Sequence, residues 1–146
     1  MITDKLLRLS EDQAVTATAV STNTIDLGTD RDIGEGRELY MVFTVTTTFA
    51  TLTSLTFNII TDDNAGLASG KVIASTGAIT LASGGLAAGK QYAMRIPPDI
   101  AGKAERYLGA SFTVGGSNAT AGKVTTDIVL DIQDGKKYYA SGFSVT

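Results

Sequence analysis

The sequence contains no cysteine, no histidine and no tryptophan, and it has only two prolines. Without cysteine there can be no disulfide framework, thiolate zinc site or cysteine nucleophile. Without histidine there is no Ser-His-Asp triad and no imidazole base. Charged residues make up 18% of the chain and the formal net charge is −3, which opposes nucleic-acid binding because that requires clustered Lys and Arg. We therefore expect no cofactor, no metal and no nucleic-acid partner.

Long hydrophobic runs are missing as well. The first ten residues, MITDKLLRLS, carry a charge every few positions and lack the apolar centre of a signal peptide. Elsewhere no run approaches the roughly 18 apolar residues that a membrane span needs. The sequence therefore predicts a protein made and folded in a cytoplasm, without a membrane partner.

What the sequence has instead is alternation of apolar and polar residues with a period of two. This pattern places one set of side chains on a buried face and the other on a wetter face, as in a half-buried strand. Between the clear segments lie weaker ones that are rich in Val, Ile and Thr, which suit a pleated surface. The clear segments are residues 39–45, 55–59, 91–96, 108–114 and 124–132, and the weaker ones are residues 14–20, 24–27, 71–75 and 78–81.

Turn-forming sequences separate these segments. They are DDNAG at 62–66, SGG at 83–85, GGSN at 115–118 and DG at 134–135. Strands that recur about every dozen residues predict an all-β protein, here a jelly-roll-like antiparallel β-sandwich that spans residues 13–146 as one domain. Residues 1–12 lack clean alternation and are predicted to form an N-terminal arm.

One short motif resembles a phosphate-binding loop. Gly84, Gly89 and Lys90 match its G-x-x-x-x-G-K part. A working loop continues with Ser or Thr and opens a helix, whereas here Gln91 follows and residues 91–96 alternate as a strand. The motif is therefore interpreted as a turn.

Carboxylates are the other groups that could carry chemistry. Asp127 and Asp131 lie on one face of their predicted strand about 13 Å apart, too far for a glycosidase pair, and are expected on its solvated face. Asp62, Asp63 and Asn64 offer oxygen ligands but match no calcium-binding loop and suit a turn. We expect no enzymatic activity; a hydrolase activity lost on replacing one Asp would contradict this.

Apolar residues outside the strand pattern are the candidates for an interface. Near the end of the sequence, KKYYASGFSV brings three aromatic residues close together. They form either a last strand that packs on its own core, or, together with the arm, a surface buried against a neighbouring subunit. On the second interpretation the predicted interface residues are Ile2, Leu6, Leu7, Leu9, Tyr138, Tyr139 and Phe143.

Several stretches of sequence, distributed along nearly the whole chain, resemble those of a known protein family in the same order. They are LSEDQAVTATAVSTNTIDLG (9–28), RDIGEGRELY (31–40), ERYL (105–108) with FTVGG (112–116), and GKVTT (122–126) with LDIQD (130–134). In combination they resemble the small capsid cement, or decoration, proteins of tailed bacteriophages, in particular the group typified by the Bordetella podophage cement protein. Residues from about 52 to 90 match this group only loosely.

The resemblance implies a jelly-roll-like sandwich on the outer surface of the capsid of a virion assembled in a bacterial cytoplasm. There the protein would form dimers or small clusters and bridge neighbouring major capsid proteins. Binding only to the expanded shell would stabilise it by mass action. The alternative is a host-directed carbohydrate- or receptor-binding β-sandwich of the virion, although sugar sites usually present exposed aromatics and this chain has five Tyr and no Trp. A third possibility is another virion part, such as a head fibre or tail accessory protein.

Overall fold

Ten β-strands carry the fold of the residues that the structure, a computed structural model, describes: 3–28, 37–97, 105–130 and 132. In chain order they are β1 (Arg8–Ala14), β2 (Ala19–Val20), β3 (Ile25–Asp26), β4 (Tyr40–Ala50), β5 (Ser54–Asp62), β6 (Lys71–Ser75), β7 (Ile79–Thr80), β8 (Gln91–Arg95), β9 (Tyr107–Gly115) and β10 (Ala121–Val129). Short 3-10 turns occur at Lys5–Leu7 and Leu81–Ser83. Among these residues, no helix has the length and apolar character that crossing a membrane would require.

The strands pair antiparallel and form two sheets. One sheet has the order β1-β10-β4-β8, and the other has the order β2-β9-β5-β6, with β3 also paired to β9 and β7 to β5. The pairing is nested along the chain: β1 with β10, β2 and β3 with β9, β4 with β8, and β5 with β6 and β7. One long antiparallel ribbon that wraps into two packed sheets gives this order, which is the jelly-roll topology. The predicted fold class is confirmed.

The core lies between the two sheets and is centred on aromatic rings. Phe43 of β4 lies 5.0 Å from Phe57 of β5, measured between ring centroids, and Phe112 of β9 meets both rings edge-on at 6.3 and 6.1 Å. Tilted and edge-to-face arrangements are the ones that aromatic quadrupoles favour. Each ring is fully buried, which contributes about 1.5–3 kcal/mol relative to exposure. Each of the three phenylalanines lies at an apolar position of an alternating segment, so the period-two pattern correctly predicted that they are buried.

The predicted strands are largely confirmed. The five clear segments correspond to β4, β5, β8, β9 and β10, and the segment at residues 71–75 is β6. The predicted strand at residues 14–20 is instead divided, because the chain leaves one sheet after Ala14 and enters the other at Ala19.

The predicted boundary between arm and sandwich is too late in the chain. β1 begins at Arg8 and pairs with β10, with Arg8 opposite Asp127 and Ala14 opposite Lys123. Two register shifts interrupt this pairing, and Asp12 has a φ of 45°. Bulges of this kind break the alternation of side chains, which is why periodicity did not reveal the strand. The part of the predicted arm that the structure describes and that lies outside the sheets is residues 3–7.

The two long sides of the sandwich differ. On one side the chain between β2 and β3 is bonded to β1: the Asn23 N–H donates to the carbonyl of Leu9 at 2.8 Å, and the Gln13 side-chain amide donates to the carbonyl of Val20 at 2.8 Å. We call this the closed side. On the other, which we call the open side, β8 and β6 are the last strands of their respective sheets.

Candidate interaction surface

Exposed large apolar side chains gather at one end of the sandwich. Four strands begin at this end: β1, β4, β6 and β9. Four others finish there: β3, β5, β8 and β10. The connections from β4 to β5 and from β9 to β10 lie at the opposite end. We call it the leucine end. The exposed large apolar residues of the described chain are Leu6, Leu7, Leu27, Leu39, Val72 and Leu130, and each of them lies there.

Leu6 and Leu7 are the two predicted interface residues that the structure places on this surface. Their side chains are 85% and 37% exposed. The 3-10 turn that carries them is closed by Asp4, whose carboxylate accepts from the Leu6 N–H at 2.9 Å and whose carbonyl accepts from the Leu7 N–H at 3.0 Å. Because the turn is closed by its own hydrogen bonds, both leucines are held outside the core.

Leu9 does not belong to this surface, contrary to the sequence-based expectation. Its side chain is fully buried, because β1 is a strand of the sandwich and places Leu9 in the core of its own subunit. It therefore has no exposed area to offer a neighbour. The remaining predicted interface residues, Ile2, Tyr138, Tyr139 and Phe143, lie outside the described residues, so their role stays a prediction.

The sequence pattern missed three leucines of this end. Leu27 follows β3, Leu39 precedes β4 and Leu130 follows β10, and they are 55%, 42% and 54% exposed. Leu39 and Leu130 continue the buried face of their strands by periodicity, but they lie just past the last paired residues, Tyr40 and Val129. The facing sheet no longer covers a side chain at that position. Their position at the predicted end of a strand was the feature of the sequence that could have indicated their exposure.

Several charged residues at the leucine end form ion pairs with one another. The ion pairs there include Arg8–Asp127, Lys71–Glu105, Arg95–Glu38 and Arg106–Asp26. In the last pair Nε and Nη2 of the guanidinium each donate to one of the two carboxylate oxygens at 2.8 Å. The Arg106 guanidinium, helped by the Gly28 N–H, lowers the pKa of Asp26 to about 2, and Asp26 in turn raises the pKa of Arg106. Several of the charges around the apolar side chains therefore already have partners.

Asp127 has a different place from the one expected. It was predicted on a solvated strand face, but it is only 4% exposed. The reason is Arg8, which crosses from β1 and donates through Nε to the Asp127 carboxylate at 2.8 Å. This contact also raises the pKa of Arg8. Asp127 therefore joins β1 to β10.

The other candidate carboxylates hold a turn together. Buried Asp62 accepts hydrogen bonds from the Asn64 N–H at 3.1 Å and from the Ser69 N–H at 2.8 Å. Burial acts to raise the pKa of Asp62, but these N–H donors outweigh it and lower the pKa, while neighbouring Asp62 raises the pKa of Asp63. In the part of the chain that the structure describes, no three acidic side chains come together to hold a metal. The prediction of a turn at residues 62–66 is confirmed.

The glycine-rich motif also forms a turn. Gly84 and Gly89 have φ values of 72° and 88°, a region that only glycine adopts freely, and β8 begins at Gln91. No helix follows, so the arrangement lacks the helix N-terminus that would hold a phosphate. The interpretation of residues 84–90 as a turn is confirmed.

The opposite end of the sandwich has a contrasting composition. Its turns, at residues 15–18, 51–53, 84–90 and 116–120, consist mainly of Ala, Ser, Thr and Gly, and Lys90 is the charged residue among them. The larger apolar residues Val15, Leu52 and Leu86 are buried. We call this the small-residue end. It provides a natural control surface for the leucine end.

One comparison with known proteins gives a match. The sequence profile of the Bbp16 family matches residues 9–128, which run from β1 nearly to the end of β10 and include strands of both sheets. A search of curated proteins finds no match. Of the exposed apolar residues, Leu27, Leu39 and Val72 lie within the matched range, and Leu6, Leu7 and Leu130 flank it.

Proposed function

The chain belongs to the Bbp16 family, a Bordetella phage protein family, and on that premise we propose that it is a capsid cement protein of a tailed phage. It binds the outer surface of the head, bridges neighbouring major capsid proteins and stabilises the expanded shell. The family and the all-β sandwich fit a phage structural protein located in the virion. The proposed role is structural and assigns no catalytic residue.

The observation that carries the proposed contact is the leucine end. Monomeric proteins seldom leave a group of large apolar side chains in water, and such a group usually marks an interaction site. Here Leu6, Leu27, Leu39 and Leu130 are each between 42% and 85% exposed at one end. Four ion pairs at this end are made within the chain, so covering them does not leave those charges without a partner. We therefore place the contact with the major capsid protein at this end.

Modest affinity at each site is sufficient for this role. Fully burying one leucine contributes about 1.5–3 kcal/mol, so two or three leucines supply a useful part of a weak contact. Copies that bridge two capsid subunits gain further stability because the second contact is intramolecular. A protein that binds the assembled shell and not its separated subunits then stabilises the shell by mass action.

The test uses phage particles that lack the protein. Purified protein is added to expanded heads, and binding is measured by co-sedimentation at increasing concentration. Replacing exposed leucines by Leu6→Ser with Leu130→Ser should weaken binding by roughly tenfold or more, because apolar area buried in the contact is lost. The matched control is Ala17→Ser with Ala88→Ser at the small-residue end, which should bind as the unaltered chain does.

Two results would overturn the proposal. One is a failure of the unaltered protein to bind expanded heads at any concentration. The other is equal binding by the leucine and alanine variants, which would move the contact away from the leucine end. Saturable binding to host glycans or host cells, with none to heads, would favour the host-directed alternative.

A further inference from the structure

The 3-10 turn at Lys5–Leu7 lies outside the two sheets, yet it carries the most exposed large apolar side chain of the described residues. Leu6 is 85% exposed, against 55% for Leu27 and 54% for Leu130. A segment without strand pairing needs other contacts to hold its backbone in one conformation. The contacts that hold this turn therefore decide whether Leu6 has a defined position.

Three hydrogen bonds close the turn, and Asp4 accepts two of them. Its carboxylate accepts from the Leu6 N–H at 2.9 Å, and its carbonyl accepts from the Leu7 N–H at 3.0 Å. The third bond runs from the Arg8 N–H to the Lys5 carbonyl. Asp4 has extended backbone angles, with φ −103° and ψ 132°, as a capping residue does. Only the carboxylate bond depends on which residue occupies position 4, since every residue offers a carbonyl.

The turn continues directly into a residue that the sheet holds. Arg8 lies opposite Asp127 in the pairing of β1 with β10, and its Nε donates to the Asp127 carboxylate at 2.8 Å. The Asp127 side chain is only 6% exposed. The turn itself lies against β10. One end of the turn is therefore fixed to the sheet, and the other end is closed by Asp4.

This arrangement places Leu6 in a row with two other leucines. The strands β1, β10 and β4 are neighbours in that order; the turn precedes β1, Leu130 follows β10 and Leu39 precedes β4. Two strand spacings separate β1 from β4, about 10 Å. We call Leu6, Leu130 and Leu39 the leucine row. Leu27 and Val72 belong to the other sheet, where β3 and β6 lie on opposite margins.

A row that is formed before contact binds more tightly than one that is ordered on contact. Leu39 and Leu130 adjoin paired strands, so their backbone is already fixed. Leu6 depends on its turn. Ordering one mobile side chain at an interface weakens binding by roughly two- to tenfold. The hydrogen bond from the Leu6 N–H to Asp4 avoids that loss, because it fixes the turn in the free protein.

We propose that Asp4 is a positioning residue of the capsid contact. Its carboxylate holds Leu6 in the leucine row before the capsid protein is bound, and this preorganisation raises the affinity of the contact. The role rests on the proposed capsid function, because the capsid protein is the partner that covers the row. Asp4 acts through the backbone of the turn and does not itself have to touch the capsid.

Co-sedimentation with expanded heads tests this role in the full chain. Asp4→Ala removes the side-chain acceptor and should weaken binding roughly three- to tenfold. Asp4→Asn keeps an oxygen that accepts the Leu6 N–H, so it should bind within about twofold of the unaltered chain. The matched control is Ser83→Ala in the other 3-10 turn, which loses the hydroxyl bond to the Thr80 carbonyl at 2.7 Å and should bind normally. Urea unfolding checks that each variant retains the sandwich.

A double-substitution cycle shows whether Asp4 acts through the leucines of the turn. Leu6→Ser with Leu7→Ser should weaken binding by roughly tenfold or more, because apolar area is lost from the contact. Adding Asp4→Ala to that chain should change binding by less than about twofold, since the side chains that Asp4 positions are gone. A further loss as large as in the unaltered background would mean that Asp4 acts elsewhere, which overturns the proposal.

Nitrogen-15 relaxation reports on the turn without phage particles. The amide order parameters of Leu6 and Leu7 should be near the value of rigid backbone, about 0.85, in the unaltered chain and in Asp4→Asn. In Asp4→Ala they should fall towards about 0.6, while the amides of β1 and β10 keep their values. Order parameters that do not change in Asp4→Ala would overturn the positioning role, whatever the binding result.

The binding results separate this role from the capsid function. If the unaltered chain fails to bind expanded heads, the capsid function fails and the role of Asp4 fails with it. If the unaltered chain binds and Asp4→Ala binds equally well, the capsid contact stands and only the positioning role is lost. Equal weakening by Asp4→Ala and Asp4→Asn would mean that the carboxylate charge meets the capsid directly, which also overturns the positioning role.

Discussion

The closed and open sides of the sandwich belong to the same two sheets but are completed differently. On the closed side, the side-chain oxygen Oε1 of Gln13 accepts from the hydroxyl of Ser10 at 2.6 Å and from the N–H and hydroxyl of Thr22 at 3.1 and 3.0 Å. On the open side, β8 ends its sheet with outward backbone groups and half-buried apolar residues. On the closed side, polar side chains of the same chain make hydrogen bonds along the edge. On the open side, the outer edge of β8 has backbone groups that could still pair with another strand.

Two ion pairs, one on each side, differ in how far water reaches them. The Arg8 and Asp127 side chains on the closed side are 24% and 6% exposed, while those of Arg95 and Glu38 at the open edge are 52% and 49% exposed. Less water reaches the first pair, so its attraction is screened less and its loss costs more. Contacts of similar length, 2.8 and 3.0 Å, are therefore expected to contribute unequally to stability.

Breaking the closed-side ion pair should have the largest effect. We expect Asp127→Asn to lower the free energy of unfolding by about 2–3 kcal/mol, because a half-covered guanidinium loses its buried partner. The loss stays below that of a fully buried pair, because Arg8 retains its contact with Glu11 at 3.0 Å. Urea unfolding followed by circular dichroism measures it.

The matched open-side variant is Glu38→Gln, which removes the exposed pair with Arg95. Exposed ion pairs contribute at most about 1 kcal/mol, so this substitution should change the unfolding free energy by roughly 0.5 kcal/mol. Equal losses in the two variants would remove the proposed difference between the sides.

Periodicity was sufficient to predict the strands that supply most of the core. In β4, β5 and β9 the fully buried Phe43, Phe57 and Phe112 lie at apolar positions of the predicted alternation, although parts of β4 and β5 are buried on both faces. β1 escaped prediction because Leu9 is its one large apolar residue and bulges interrupt its alternation. Its place in the sheet depends on pairing with β10, more than a hundred residues away in the chain. Local sequence does not encode that contact.

The exposed residues of the leucine end could be predicted only in part, because exposure also depends on contacts between distant parts of the chain. Leu6 and Leu7 stood out because they precede any strand, and they are exposed as expected. Leu39 and Leu130 continue a strand pattern, so only the length of the facing sheet decides whether they are covered. Asp127 shows the reverse case, since an acidic residue at an outward position was buried by Arg8. Such outcomes depend on tertiary neighbours.

Removing the polar closure of the closed side should have the second largest effect. Gln13→Ala loses hydrogen bonds to Ser10, Thr22 and Val20, and we expect a loss of about 2 kcal/mol in the free energy of unfolding. The matched substitution at the open edge is Gln91→Ala, whose side chain makes one exposed bond to Thr44 at 3.2 Å. It should cost roughly 0.5 kcal/mol or less. Denaturant midpoints of the two variants give the comparison, and similar costs would mean that Gln13 does not close the edge.

The smallest expected effect is a dependence of stability on pH that arises from a closed-side carboxylate. Asp26 of β3, on the closed side, has its pKa lowered from 3.8 to about 2, chiefly by the hydrogen bonds from Arg106. Because the folded pKa lies below the unfolded one, the carboxylate stabilises the fold above pH 4, and this contribution disappears as the pH falls towards 2. Asp26→Asn should therefore be less stable than the unaltered chain at pH 7, and the difference should close between pH 4 and pH 2.

Arg106→Gln removes the same pair and should reproduce this convergence when thermal unfolding is followed over the same pH range. A difference that stays constant down to pH 2 would show that Asp26 contributes through its neutral hydrogen bonds, such as the one from the Gly28 N–H at 2.8 Å, and not through its charge. In that case the stability contributed by Asp26 of β3 would come from its hydrogen bonds and not from its charge. Of the two closed-side carboxylates, only the better buried Asp127 would then contribute through its charge.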